Sequence, residues 1–258
     1  MKTLSIIIPV YNEEKRLEKT FQALSEGFSF TGINLEKIIF VNDGSTDITL
    51  EKIKIHQKQL EETLEAKIEV FSYQPNKGKG HAIKTGMLIS DSDYTLCFDA
   101  DIATPLSEFK KFLPLIKKNA PVIIGTRKNG ESTVTLPQPL YRQLLGRGFT
   151  CLANLILNTW VTDFTCGFKA FSREAKEAIF NQSVIVGWGY DAEILFLAKK
   201  LGFQVSEKAV SWQDDRQSRV KLYKDLPLSF LELLKIRIYH SGYAPKPLKK
   251  VISAPQIS

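Results

Sequence analysis

The sequence predicts an α/β fold with a mostly parallel central sheet and helices on both faces. Two observations carry that expectation. Short apolar, β-branched runs alternate with helical patterns through the first half of the chain. The residues just after each run are polar or rich in glycine, as strand-to-helix turns are. Such alternation implies right-handed crossovers and a sheet covered on both sides.

The elements follow in order. Leu4 to Val10 reads as a buried strand, with Pro9 near its end. Asn12 is expected to cap a helix in which Leu17, Phe21, Leu24 and Phe28 recur at spacings of three and four. Lys37 to Val41 is the second strand, and Thr46 or Asp47 opens a long helix with Ile53, Leu60 and Leu64 on its apolar side. Lys67 to Tyr73 is a third strand, Gly80 to Ser90 a helix, and Tyr94 to Phe98 a fourth strand. Leu106 to Lys118 is expected to be helical, and Val122 to Gly125 is a fifth strand.

At 258 residues the chain fits one large domain, expected over residues 1–243, with a disordered tail over 244–258. Its 43% hydrophobic and 24% charged residues are those of a globular protein. The three cysteines, Cys97, Cys151 and Cys166, show neither disulfide nor metal-ligand spacing, which suits a reducing compartment. The run Leu4 to Ile8 is too short for a signal-peptide core or a membrane span, so a cytoplasmic protein is expected. The formal charge of +7 favours an anionic partner, but the basic residues are spread out and form no nucleic-acid motif. Nucleic acid is therefore not an expected partner. The histidines share no ligand spacing, and no Gly-x-Gly-x-x-Gly or Walker pattern follows a strand, which counts against a dehydrogenase or an ATPase.

In open parallel sheets ligands bind at the carboxyl ends of strands, so those turns hold the candidate site. They read Pro9-Val-Tyr-Asn-Glu13, Asn42-Asp-Gly-Ser-Thr-Asp47, Asn76-Lys-Gly-Lys-Gly80 and Asp99-Ala-Asp101. Turn formation accounts for Asn12 and Asp47. It accounts poorly for Asp99 and Asp101, two carboxylates that would repel each other without a cation. Hard oxygen ligands at this spacing suit Mg²⁺ or Mn²⁺, which keep water and substrate phosphates in their other positions.

These segments, in this order, resemble the signatures of family 2 glycosyltransferases. Asp163-Phe-Thr-Cys-Gly-Phe-Lys169, Gly187-Trp-Gly-Tyr-Asp-Ala-Glu193 and the stretch Trp212 to Lys221 are similar to its polyprenyl-phosphate branch, most of all to the dolichyl-phosphate β-glucosyltransferases. The resemblance runs from about Thr3 to about Tyr239 and implies a GT-A fold. It implies that Pro9, Tyr11, Glu13, Asp43 and Lys79 line the donor pocket, and that Asp99 and Asp101 reach the donor diphosphate through the metal. It places Arg127 on phosphate. The motifs depart from the family's pattern at Asn42, at Ala103-Thr104 and at Gln217.

Transfer from a nucleoside diphosphate sugar builds charge on the leaving diphosphate, which a divalent cation stabilises by several kcal/mol. Direct displacement inverts the anomeric centre, as the resemblance also implies. A hydroxyl acceptor needs a base, whereas a phosphate monoester, with a second pKa of about 6, is already largely dianionic at neutral pH. Asp163 and Asp191 are the carboxylates expected on the acceptor side, joining Asp101 as catalytic candidates. Asp163 is expected as base or orienter, and Asp191 reads equally as a helix cap. Arg142, Arg147, Arg216, Ser218, Arg219 and Lys221 are the candidates for an acceptor phosphate, although Arg142 and Arg147 read equally as a solvated helix face.

Residues 222–243 form an apolar pattern that either completes the core or lies in a membrane interface, and Leu140 to Trp160 is a second such segment. The expected activity is transfer of a hexose, glucose by resemblance, from UDP-glucose to a polyprenyl phosphate by a peripheral protein on the cytoplasmic face of a membrane. The alternatives are a soluble hydroxyl acceptor or a non-catalytic nucleotide-sugar-binding protein. Intact Asp99 and Asp101 speak against the last.

Overall fold

The computed structural model describes residues 1–27, 30–128, 132–136, 140–213 and 222–242. The chain runs β1 (Lys2–Val10), α1 (Leu17–Gly27), β2 (Ile33–Asp43), α2 (Thr49–Leu64), β3 (Lys67–Tyr73), α3 (Lys79–Ile89) and β4 (Tyr94–Cys97). A 3₁₀ turn (Leu106–Lys111) precedes α4 (Leu113–Lys117), β5 (Val122–Thr126), β6 (Val134–Leu136) and α5 (Leu140–Leu157). Then come β7 (Lys169–Ser172), α6 (Arg173–Phe180), α7 (Tyr190–Lys200), β8 (Val205–Ala209), β9 (Trp212–Gln213) and α8 (Leu222–Tyr239).

A seven-stranded sheet has the order β3-β2-β1-β4-β7-β5-β8, and β6 pairs with β9 apart from it. Every neighbouring pair in the large sheet is parallel except those of β7, which runs antiparallel between β4 and β5. The mostly parallel sheet is therefore as expected, with one reversed strand at its centre.

Both faces of the sheet are covered, which explains why β1 is an unbroken apolar run. Ile6 and Ile8 join a core with α1, α2 and the 3₁₀ turn, through Leu17, Phe21, Ile53 and Phe109. Ile7 points into the opposite core with Ile83 and Met87 of α3, Ile179 of α6, Leu195 of α7 and Leu233 of α8.

Several local expectations are corrected. Asn12 does not cap α1, which begins at Leu17; its backbone takes φ +51, and its side chain accepts the amide of Thr46 at 2.7 Å. A short amide acceptor beside a neighbouring loop serves that loop instead of the helix. β2 begins at Ile33, where buried Ile33 and Leu35 alternate with exposed Asn34 and Glu36 as in a strand covered on one face. The helix over Leu106–Lys118 breaks at Phe112, because Pro114 has no amide hydrogen to continue an α-helical ladder. α8 starts at Leu222, where the apolar pattern of residues 222–243 begins. Phe28 and the tail over 244–258 lie outside the described residues.

α8 completes the core with one side and leaves the other side exposed. Leu233 and Ile236 are fully buried, while Leu228, Leu231, Ile238 and Tyr239 are exposed. α5 packs beside it and exposes Leu140, Tyr141, Leu144 and Leu155. Among the described residues no helix is long and apolar enough to cross a membrane.

Candidate active site

Because β1, β2, β4 and β5 run in one direction, their carboxyl ends open on the same edge of the sheet, and the polar turns of the sequence meet there. Asp99 and Asp101 follow β4 in a tight turn. Ile102 takes φ +55, an uncommon value for a β-branched residue, and its amide donates to the Asp99 carbonyl at 3.2 Å. Thr20 of α1 anchors the turn by donating to the Ala100 carbonyl at 2.8 Å.

Reversed strand β7 brings the second half of the chain to this edge. Gly167, just before it, lies against Asp99: a Cβ there would stand 2.0 Å from Asp99 Oδ2. Only glycine leaves room for the carboxylate. Lys79, at the start of α3, places Nζ 2.8 Å from Asp99 Oδ1. Burial would raise the Asp99 carboxyl, but Lys79, helped by the charges of Lys169 and Arg127, holds the group below the usual carboxylate range. Asp101 behaves oppositely. Lost hydration at the turn and the neighbouring Asp99 charge push its carboxyl up although the residue itself is exposed, against one amide donated by Ala103 at 3.0 Å.

Two adjacent carboxylates, one raised by the other's charge, fit a hard divalent cation. No group of three or more His, Cys, Asp or Glu converges among the described residues, so the remaining positions of such an ion would fall to water and phosphate.

The donor-side candidates do not all face the cleft freely. Tyr11 is exposed, while Glu13 is paired with Arg16 at 3.1 Å and receives no more than a partial view of solvent. Pro9 lies in β1, register-paired with Val41. Asp43 is buried, and its carboxylate accepts the amides of Lys77 at 2.8 Å and Gly78 at 3.0 Å together with the Asn76 side chain at 2.8 Å. It shapes the Asn76–Gly80 turn. That turn is also held by Val186, whose carbonyl accepts the Gly80 amide at 2.8 Å.

Asp163 is fully buried and grips Arg127 with both oxygens, at 2.7 Å to Nε and 2.8 Å to an Nη. Burial alone would raise its carboxyl; the Arg127 guanidinium holds it far below the usual range. A carboxylate so committed is a poor proton acceptor and a good orienter. Arg127 in turn donates to Thr165 Oγ1 at 2.8 Å, and its Cζ lies 5.1 Å from the Trp212 ring. Asp191, in the first turn of α7, is buried and takes a hydrogen bond from Lys169 of β7. Burial pushes its carboxyl up, while Lys169 and Lys79 pull it down.

Lys169, Lys128 and Gly167 lie among the candidate site residues, and sequence reading missed them as individuals. Lys128 reaches Thr150 of α5 at 2.9 Å and Asp163 at 3.6 Å. The signal for each was present in the motifs Thr126-Arg-Lys128 and Cys166-Gly-Phe-Lys169, but not its partner. Arg147 is exposed on α5, close enough for its charge to depress Lys128 after burial and Arg127. The side chain of Arg142, and Arg216, Ser218, Arg219 and Lys221 altogether, lie outside the described residues.

A family model described as glycosyl transferase family 2 matches residues 5–180. The dolichyl-phosphate beta-glucosyltransferase of Trichomonas vaginalis is 34% identical over 249 residues, covering 92% of this chain and 73% of that protein. The enzyme of that name from Saccharomyces cerevisiae is 32% identical over 252 residues, covering 91% and 74%. Among solved structures, glucosyl-3-phosphoglycerate synthase from Mycobacterium tuberculosis superposes with a TM-score of 0.65 at 18% identity, over 92% of this chain and 80% of that one. A crystal of that synthase with Mn²⁺, UDP and glucosyl-3-phosphoglycerate superposes with a TM-score of 0.62 at 18% identity, over 93% and 80%.

Proposed function

The chain belongs to glycosyltransferase family 2 with a GT-A fold, and on that premise we propose that it moves glucose from UDP-glucose to a polyprenyl phosphate, with inversion, at a membrane surface. Relatives at 34% and 32% identity named as dolichyl-phosphate beta-glucosyltransferases support the sugar and the acceptor class. The synthase crystallised with UDP and Mn²⁺ supports a uridine nucleotide and a divalent ion.

The observation that carries the lipid acceptor is the pair α5 and α8, which lie against each other and keep large apolar side chains in solvent. Free Cys97, Cys151 and Cys166 suit the cytoplasmic face of that membrane.

The residues divide the work as follows. Asp99 and Asp101 would hold Mg²⁺ or Mn²⁺, which supplies Lewis-acid neutralisation of the leaving diphosphate when bound. Lys79 keeps Asp99 ionised and adds a cation beside the same phosphates. Asp43 holds the Asn76–Gly80 turn, which with Pro9, Tyr11 and Glu13 would line the nucleotide pocket. Asp163 fixes Arg127 at the end of β5, with its guanidinium beside Trp212, for a phosphate of the donor or acceptor. Asp191 fixes Lys169 under the Gly167 turn. A phosphate nucleophile arrives deprotonated, so carboxylates committed to Arg127 and Lys169 suit it better than they suit a hydroxyl. Arg147, with Arg142, Arg216, Ser218, Arg219 and Lys221, would complete the acceptor-phosphate subsite.

A panel of radiolabelled UDP-hexoses with a short polyprenyl phosphate, extracted into organic solvent, tests the proposal. UDP-glucose is expected to label the organic phase, and Asp101→Ala is expected to remove the label with folding retained. Label confined to a soluble product would overturn the lipid acceptor.

A further inference from the structure

A second polar cleft lies at the far end of α7, about 14 Å along the helix from Asp191 at 1.5 Å per residue. It encloses ≈ 360 Å³ between the carboxyl ends of α5, α7 and α8. Among the described residues its polar lining comes from Asn158, Lys199, Lys200, Arg237, His240 and Ser241 and includes no carboxylate, although His240 Nε2 lies 2.8 Å from the buried Glu193 carboxylate behind it. Lys199 donates to the Asn158 carbonyl and Lys200 to the His240 carbonyl, which orient the two ammonium groups without neutralising them. Phe196 supplies an apolar wall, with Lys200 Nζ 6.0 Å from its ring.

The surroundings of the cleft are exposed, aromatic and basic. Trp160 is 65% exposed, and its indole nitrogen donates to Asn158 of the cleft. Ile238 and Tyr239, next to Arg237, are 73% and 66% exposed. Exposed Trp and Tyr beside Lys and Arg are the arrangement that places rings at headgroup depth and cations on phosphate. Asn158 and Trp160 both take left-handed values, φ +53 and +62, in the turn that follows α5.

We infer that this cleft binds the phosphate headgroup of an anionic membrane phospholipid, separately from the acceptor phosphate that must reach the donor's anomeric carbon. The inference rests on the reading that α5 and α8 face a membrane, and deepens it by naming the lipid class and the residues that read it. A headgroup held there would anchor the carboxyl end of α7 while its amino end carries Asp191 into the active site.

Vesicle co-sedimentation of the full chain tests this with Lys199→Gln/Arg237→Gln, and with Lys58→Gln/Lys110→Gln as an equal loss of charge elsewhere. Wild type should prefer phosphatidic acid vesicles to pure phosphatidylcholine. The cleft pair should lose on the order of 30-fold in affinity for the anionic vesicles, from about 1 kcal/mol per basic residue, while the control pair stays close to wild type. Binding to phosphatidylcholine should survive in both, carried by the apolar faces. Should the cleft pair unfold, Arg237→Gln alone makes the same comparison. Equal losses in the two pairs, or a wild type indifferent to lipid charge, would overturn the headgroup site and leave the membrane reading standing. A wild type that binds no vesicle would overturn both. Stabilisation of wild type by millimolar inorganic phosphate alone, absent from the cleft pair, would make it a soluble-phosphate site and overturn the inference.

Discussion

Glu232 of α8 accepts the Gly189 amide at 2.7 Å, so the helix with the exposed apolar face is bonded to the residue that opens α7 and precedes Asp191. The contact is close enough to dictate residue type. A Cβ on Gly189 would stand 2.6 Å from Glu232 Oε2 and 2.8 Å from Glu232 Cβ. The Gly-Trp-Gly spacing before Asp191 is thus a seat for α8.

Gly189→Ala is expected to destabilise the fold by about 1–3 kcal/mol through overpacking. In a Glu232→Ala background the same change should cost less, because the colliding side chain is gone. A double-mutant cycle by urea denaturation measures the difference, and strict additivity would dissolve the link between the two residues.

Asp101→Asn should lower transfer by at least about 100-fold, the scale of losing one charged group that stabilises a leaving oxyanion. The side chain is exposed, so the unfolding midpoint should hardly move. Calorimetric titration with Mn²⁺ in the presence of UDP should show binding for wild type and none for the variant.

Lys79→Met separates two effects. Lys79 Nζ occupies one oxygen of Asp99 at 2.8 Å, so its removal should strengthen Mn²⁺ binding in the absence of nucleotide. Donor KM should rise in the same variant, because a cation beside the diphosphate is lost. Unchanged metal affinity would mean that the lysine and the ion do not compete for Asp99.

Asp163 makes stability depend on acid. Its folded pKa lies below its unfolded value near 3.9, so the folded state binds fewer protons and gains stability above about pH 4. That gain fades as pH falls below about 4 toward the depressed folded pKa. Asp163→Asn should therefore cost about 3–5 kcal/mol at pH 7, where it strands Arg127, and progressively less below about pH 4. Urea unfolding across pH 2 to 7 would show the two curves converging at the acid end.

Much of the fold was legible in the sequence, because local pattern suffices where both faces of a strand are buried or a helix has one apolar side. β1, β3, β5 and α3 fall within two residues of their expected bounds for that reason. The failures are places where a distant partner overrules a local rule. Asn12 carries a cap's side chain but spends it on Thr46 across the turn. β7 is a short strand with a lysine at its start, and nothing in its own four residues says that it will be inserted in reverse between β4 and β5.

By itself the sequence determined the alternating architecture, the edge of the sheet where polar turns collect and the acidic pair at the end of β4. Those depend on periodicity and turn chemistry, which act over a few residues. Tertiary structure alone decided what each charge does. Asp163 meets Arg127 across 36 residues and is committed to its guanidinium, Asp191 meets Lys169 across 22, and Asp99 meets Lys79 from another strand end. A carboxylate's role follows from its burial and from the cation beside it, and both arise from contacts between segments far apart in the chain.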